Sequence, residues 1–341
     1  MFKKQLESEP YIIAEVGQNH QGSLEKALEF IEIFSRNGAN AIKFQTRNNK
    51  FLFSKEAYEK PYNSENAFAE TYGAHRELLE LNVEWLPKLK EHCKLHKVDF
   101  MSTPFDEPSL HILDELDVDI LKIASFDLGN LPFIDKIGAT KRPVVLSVGG
   151  GMSDHIDASV ETLLKHHDDI AVLHCVSEYP CEYDRLGLSN IENLINKYPK
   201  CTIGSSDHFN GILSGPVAYM QGARVFEKHV TLNRAWKGTD HSFALEPNGF
   251  SNFTRDLKRT PLMLNQKPKD ELGKEYVFQK LGKSLVASKD LDIGEELTFS
   301  NLSGTIFSEQ YTPVRDSYKL IGKKINKSIK KGEPIFIKDL I

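Results

Sequence analysis

Short apolar runs recur along the first 230 residues: Tyr11 to Ala14, Ala41 to Phe44, Val98 to Met101, Ile120 to Ala124, Val144 to Leu146, Ile170 to Leu173, Thr202 to Gly204 and Val225 to Phe226. Their near-continuous apolar character predicts strands buried on both faces, as in a parallel sheet. Between them the spacing turns helical, with Leu24, Ala27, Leu28, Ile31 and Phe34 following the candidate N-cap Ser23. Ile156, Val160, Leu163 and Leu164 follow Ser153 in the same way. Strand and helix therefore alternate, and the count of eight favours an α/β fold of the closed (β/α)8 TIM-barrel type over an open doubly wound sheet. No GxGxxG follows the first run, which removes the dinucleotide-binding reading of such an alternation.

The last sixty residues follow another pattern. Leu281-Gly282-Lys283-Ser284-Leu285-Val286 recurs loosely as Ile321-Gly322-Lys323-Lys324-Ile325, and Ile293-Gly294-Glu295-Glu296-Leu297 as Lys331-Gly332-Glu333-Pro334-Ile335. This predicts a small β-rich domain of short strands and turns. The expected division is a barrel over residues 1–265, a charged linker over 266–281 and the small domain over 282–341.

Charge narrows the partners. The 341 residues carry 43 basic and 48 acidic side chains, a net charge of −5, without the basic stripe that nucleic acid requires. Met1 to Pro10 lacks the apolar core of a signal peptide, and no segment reaches the ~18 uninterrupted apolar residues of a membrane span, so a cytoplasmic protein without membrane contact is expected. The four cysteines show no CxxC spacing, and Cys175 reads as core rather than nucleophile.

A barrel carries its chemistry at the carboxyl ends of its strands, and polar residues follow nearly every apolar run. Glu15, Lys43 with Gln45, Ser102 with Thr103, Lys122 with Ser125, Ser147, His174 with Ser177, Ser206 with His208, and Glu227 with His229 occupy these ends. Lysine is almost never buried unpaired, so Lys43 and Lys122 in strand contexts point to a small phosphorylated and carboxylated ligand. His208 and His229 end successive strands and suit a divalent metal, although each alone also fits a hydrogen-bonded strand-end histidine. Glu227, on the same strand face as His229, reads as an orienting or acid–base group, or else as a partner of Lys228 or another base.

These segments resemble the sialic acid synthase family in order and throughout the barrel. The resemblance rests on Ile13-Ala14-Glu15-Val16-Gly17-Gln18-Asn19-His20, Ile42-Lys43-Phe44-Gln45-Thr46, Ser102-Thr103-Pro104-Phe105, Leu121-Lys122-Ile123-Ala124-Ser125, His174 to Pro180, Gly204 to His208 and Glu227 to Thr231. Lys60 to Ser64 with Thr71 to Arg76 resembles the family's long loop after the second strand, and Trp236 to Ser242 its loop after the eighth. The tail is similar to the family's antifreeze-like (SAF) domain, which implies a domain-swapped homodimer.

The resemblance further implies condensation of phosphoenolpyruvate with the open-chain form of a mannosamine-type sugar to a nine-carbon 3-deoxy-2-ulosonic acid. It assigns Lys43, Thr103, Lys122, Ser125, Ser147, Ser177 and Ser206 to phosphoenolpyruvate, and Glu15, Gln45, Tyr179 and Asp240 to the sugar. His208 and His229 become ligands of a divalent metal ion, Mn²⁺ first and Mg²⁺ or Co²⁺ as alternatives, with Glu15 and Glu227 beside them as catalytic carboxylates. Departures from the family pattern are Ile306 where many relatives place a sugar-binding arginine, Asp127 where glutamate is common, and Val148 with Gly149 to Gly151 after Ser147. A related synthase with another aldose acceptor and a non-catalytic sugar- or ice-binding protein are the competing readings.

Overall fold

The computed structural model describes residues 1–2 and 9–341. The chain divides into two compact units, Met1–Leu264 and Asn265–Ile341. In the first, β1 (Tyr11–Gly17), α1 (Leu24–Arg36), β2 (Ala41–Thr46), α2 (Asn49–Leu52), α3 (Lys55–Glu59), α4 (Tyr72–Glu77), α5 (Leu86–Leu95), β3 (Asp99–Pro104) and α6 (Glu107–Glu115) lead into the second half of the barrel. There follow β4 (Ile120–Ile123), α7 (Leu131–Ala139), β5 (Val144–Ser147), α8 (Ser153–Leu164), β6 (Ile170–Cys175), α9 (Asn190–Lys197), β7 (Thr202–Asp207), α10 (Ser214–Met220), β8 (Val225–His229) and α11 (Pro247–Leu264). The eight strands pair in sequence order, all parallel, and β8 closes on β1.

Alternation along the strands builds two apolar layers. Ile12, Ala14, Ile42, Phe44, Phe100, Leu121, Leu146, Val172 and Phe226 point outward and pack under the helices. Ile13, Ala41, Met101, Ile120, Val145, Ala171, Leu173 and Val225 fill the lumen. Fully burying one such side chain contributes about 1.5–3 kcal/mol. Helix α1 starts where the sequence places it, with the Ser23 hydroxyl accepting from Lys26 N at 3.3 Å, a cap that contributes about 1 kcal/mol. Helix α8 differs: Ser153 is its first helical residue, and the cap position is Met152, which makes no side-chain cap bond.

Continuing the lumen phase by two residues replaces aliphatic side chains with polar ones. Ile13 gives way to Glu15, Ala41 to Lys43, Met101 to Thr103, Ile120 to Lys122, Val145 to Ser147 and Val225 to Glu227. The barrel is thus a packed apolar plug with a polar layer on its carboxyl face. Among the described residues no helix is long and apolar enough to cross a membrane.

In the second unit, α12 (Tyr276–Leu281) lies within the stretch read from sequence as linker. β9 (Ser284–Ala287) and β10 (Leu302–Thr305) pair antiparallel over a core that includes Leu285, Leu297, Leu320, Ile325 and Ile335. The internal repeat is structural. Gly294 and Gly332 both adopt φ of 84°, a left-handed turn open to glycine, and Glu295 and Glu333 bond back to the amides of Asp292 and Lys330.

Candidate active site

A cavity of about 890 Å³ opens over the polar layer. Its floor is a four-charge cluster, with Glu15, Lys43 and Glu227 on the adjacent strands β1, β2 and β8 and Lys122 on β4. Lys43 Nζ lies 2.7 Å from Glu15 Oε2 and 3.7 Å from Glu227 Oε1, and donates to Thr103 Oγ1 at 3.4 Å. Lys122 Nζ donates to Ser147 Oγ at 2.7 Å and to the Ile123 carbonyl at 3.0 Å, with Glu227 Oε1 at 4.0 Å. Ser206 Oγ donates to Glu227 at 3.1 Å, and Gln45 Nε2 to Glu15 Oε1 at 2.9 Å. Register explains the grouping, because Glu15 stands opposite both Lys43 and His229, and Ser206 stands opposite Glu227.

The two carboxyls are held differently. Burial, reinforced by Glu227 against the pull of Lys43, raises the Glu15 pKa to about 7. Burial also opposes ionisation of Glu227, but the Lys122 and Lys43 ammoniums outweigh it and keep that carboxyl below its usual range. Burial lowers Lys122, whereas for Lys43 the Glu15 and Glu227 carboxylates overcome burial and raise its pKa. Two carboxyls of unequal proton affinity beside two ammoniums can bind a polyanion and move protons at neutral pH.

The ring centroids of His208 and His229 lie 5.3 Å apart. His208 donates from Nδ1 to the Val176 carbonyl at 2.8 Å, which fixes the tautomer and leaves Nε2 as the acceptor nitrogen. Burial lowers its pKa to about 4 and also lowers that of His229, so both rings are neutral. His229 Nδ1, 3.9 Å from Asp240 Oδ2, and Glu227 Oε2 are buried without a hydrogen-bond partner. Neutral imidazoles beside such unpartnered atoms fit a divalent cation with most positions left to substrate. Among the described residues no group of three or more metal-ligating side chains surrounds the pair.

Of the residues singled out from sequence, Glu15, Lys43, Gln45, Thr103, Lys122, Ser125, Ser147, Tyr179, Ser206, His208, Glu227, His229 and Asp240 border one cavity. Ser177 does not. Its hydroxyl is buried and unpartnered beside Gly149, where an added Cβ would approach it to 2.4 Å. Lys228 is no partner of Glu227; it faces outward and pairs with Asp207, whose other oxygen accepts from Ser214 at 2.6 Å. Cys175 is buried, as expected of a core thiol, but it also borders the cavity. Arg47, Arg76, Gln18, Phe126 and Thr239, to which the sequence assigns no individual role, also line it. The loops after β2 and β8 meet at the rim, where Gly238 N donates to Asn66 Oδ1 at 3.0 Å.

A closed parallel barrel with a polar, charge-paired cavity at the carboxyl ends of its strands defines a (β/α)8-barrel protein with its site in the usual place for that fold. The chain belongs to the NeuB family, whose model matches residues 30–269. It is 32% identical to the N-acetylneuraminate-9-phosphate synthase of Drosophila melanogaster, over 97% of this chain and 96% of that protein. It is also 32% identical to the N,N'-diacetyllegionaminic acid synthase of Campylobacter jejuni, over 95% and 98%. The crystal structure of the sialic acid synthetase from Leptospira borgpetersenii in complex with citrate superimposes with a TM-score of 0.69 at 32% identity, covering 78% of this chain and 90% of that one.

Proposed function

We propose that the protein is a nonulosonic acid synthase, a transferase that joins C3 of phosphoenolpyruvate to the aldehyde carbon of an open-chain mannosamine-type sugar. N-Acetylmannosamine or a relative is the acceptor. Water adds at C2, the C2–O bond to phosphate breaks, and the products are inorganic phosphate and a nine-carbon 3-deoxy-2-ulosonic acid. The Lys43–Lys122 pair, each ammonium within 4.0 Å of Glu227, carries this reading, because it suits a ligand with both phosphate and carboxylate.

Lys43, Lys122, Thr103, Ser125, Ser147 and Ser206 bind and orient phosphoenolpyruvate, and the unpartnered hydroxyl of Ser177 beside Gly149 is proposed as a further member of this set. Gln45, Tyr179 and Asp240 contact the sugar. Glu15, with its raised pKa, delivers a proton to the aldehyde oxygen as the carbon–carbon bond forms, and the ionised Glu227 accepts one from the attacking water. His208 and His229 would hold a divalent ion, Mn²⁺ first, which supplies Lewis-acid polarisation when bound. A cytoplasmic location belongs to the same proposal, as does a homodimer in which the antifreeze-like domain of one chain closes the pocket of the other.

Incubation with Mn²⁺, phosphoenolpyruvate and a panel of N-acetylmannosamine, its 6-phosphate, mannose, arabinose 5-phosphate and erythrose 4-phosphate tests the reading. Phosphate release is expected with the mannosamine acceptors. Release with the pentose or tetrose phosphate alone would assign the protein to a different synthase, and release with none would remove the enzymatic reading.

A further inference from the structure

The cavity wall beside Glu15 carries charge that this condensation does not use. Arg47, two residues past Gln45, and Arg76, on α4, both border the cavity with side chains only 8% exposed. Both guanidinium groups bond the same atom, Glu80 Oε1, at 2.9 Å. Glu80 does not line the cavity, so the cations face it and their shared carboxylate stands behind. Burial, opposed by Arg47, raises Glu80 to about 7, which weakens it further as a counter-charge. Glu77 and Asp106 also act on Glu80, but Glu77 is exposed and does not line the cavity, and the two oxygens of Asp106 accept from the backbone amides of Asn48 and Ser109 at 2.7 and 2.8 Å.

The remaining partners of the two arginines are neutral. Arg47 donates to Gln45 Oε1 at 2.6 Å with its guanidinium 3.9 Å from the Phe105 ring centre, and Arg76 donates to Gln18 Oε1. Four of the ten N–H donors in the pair are thereby engaged. Two largely buried guanidiniums on one carboxylate leave positive charge that an incoming anion satisfies best. Gln45 spans the gap between this pair and the lysine floor, bonding Glu15 with its amide nitrogen and Arg47 with its oxygen. The anions of phosphoenolpyruvate are already matched by Lys43 and Lys122, so the second anion belongs to the acceptor.

We infer that Arg47 and Arg76 form a subsite for a phosphate monoester at the end of the acceptor sugar remote from its aldehyde. The inference rests on the condensation reading. A phosphate, at about −1.5 to −2, offsets two guanidiniums better than a single carboxylate does, and the guanidinium fork matches its oxygens.

The test compares kcat/KM for N-acetylmannosamine 6-phosphate and for N-acetylmannosamine in the wild type, Arg76→Gln and Glu80→Gln, with Arg76→Lys as the charge-keeping control. The wild type is expected to favour the phosphorylated sugar. Arg76→Gln lowers that preference about 10- to 100-fold, the factor carried by a charge-assisted hydrogen bond, Arg76→Lys recovers part of it, and Glu80→Gln preserves or raises it. A wild-type enzyme indifferent to the phosphate overturns the subsite. So do Arg76→Gln and Glu80→Gln moving the preference in the same direction, which would mark a scaffold only. Should neither sugar react, the condensation reading fails; calorimetry then decides the subsite, which stands if the 6-phosphate binds the wild type and binds Arg76→Gln more weakly, and falls if it does not bind.

Discussion

Replacing Lys122 with methionine keeps most of the aliphatic stem and removes one buried cation from the cavity floor. Two of its three N–H donors are engaged by Ser147 and the Ile123 carbonyl, which leaves one for Glu227 at 4.0 Å or for a bound anion. Losing one charge-assisted hydrogen bond to the ligand costs about 1.5–3 kcal/mol, so phosphoenolpyruvate should bind about 10- to 150-fold more weakly. Folding suffers less, because Glu227 keeps Lys43 at 3.7 Å and Ser206 at 3.1 Å and is not stranded. The stability cost should therefore fall below the roughly 3–5 kcal/mol of an orphaned buried charge. Titration calorimetry with phosphoenolpyruvate, alongside thermal melting, measures both effects. Because burial lowers the Lys122 pKa, wild-type affinity should also decline at alkaline pH before Lys43, whose pKa is raised, loses its proton. Unchanged affinity in a folded Lys122→Met protein would refute the anion site and leave Lys122 as a structural partner of Glu227.

His208→Ala and His229→Ala should each abolish turnover and lower Mn²⁺ affinity in titration calorimetry while melting as the wild type does; full activity in both variants and after chelation would end the metal assignment. Deleting residues 265–341 should leave the barrel's circular dichroism intact and nearly eliminate synthesis, whereas undiminished synthesis would show the second unit to be dispensable. His20 is buried and held neutral, its pKa driven to about 3 chiefly by burial. A histidine whose folded pKa lies below the unfolded value destabilises the fold as pH falls, so between about pH 6.5 and 3 it should remove about 1.4 kcal/mol per pH unit. Denaturant midpoints for wild type and His20→Gln across that range should diverge, the variant showing the shallower slope; parallel slopes would exclude His20 as the source.

The apolar runs disclosed the barrel because a parallel strand under helices is buried on both sides, but they stopped short of the strand ends. β7 runs on through Ser205, Ser206 and Asp207, and β8 through Glu227, Lys228 and His229. Those residues break the apolar pattern for two separate reasons. Ser206, Glu227 and His229 face the cavity, whereas Asp207 and Lys228 form an ion pair on the outer side of the sheet. Most of the site was legible because the lumen phase carries it, residue after next, from aliphatic to polar. Arg47 and Arg76 were not, since they lie 29 positions apart and only the folding of the insertion after β2 brings both to Glu80. The packing of Ser177 was not legible either: its hydroxyl lies so close to Gly149 that an added Cβ there would approach it to 2.4 Å, a close approach that strand spacing does not encode.

The most direct test of a condensing centre on this barrel is the fate of labelled phosphoenolpyruvate. Incubating the full chain and Mn²⁺ with [2,3-¹³C]phosphoenolpyruvate and the mannosamine acceptors, then recording carbon NMR and phosphate release together, reports both ends of the reaction. The expected result is a C3 methylene newly bonded to the sugar's former aldehyde carbon, with one phosphate released per product. Phosphoenolpyruvate recovered unchanged, or phosphate released with pyruvate as the sole labelled product, would contradict it.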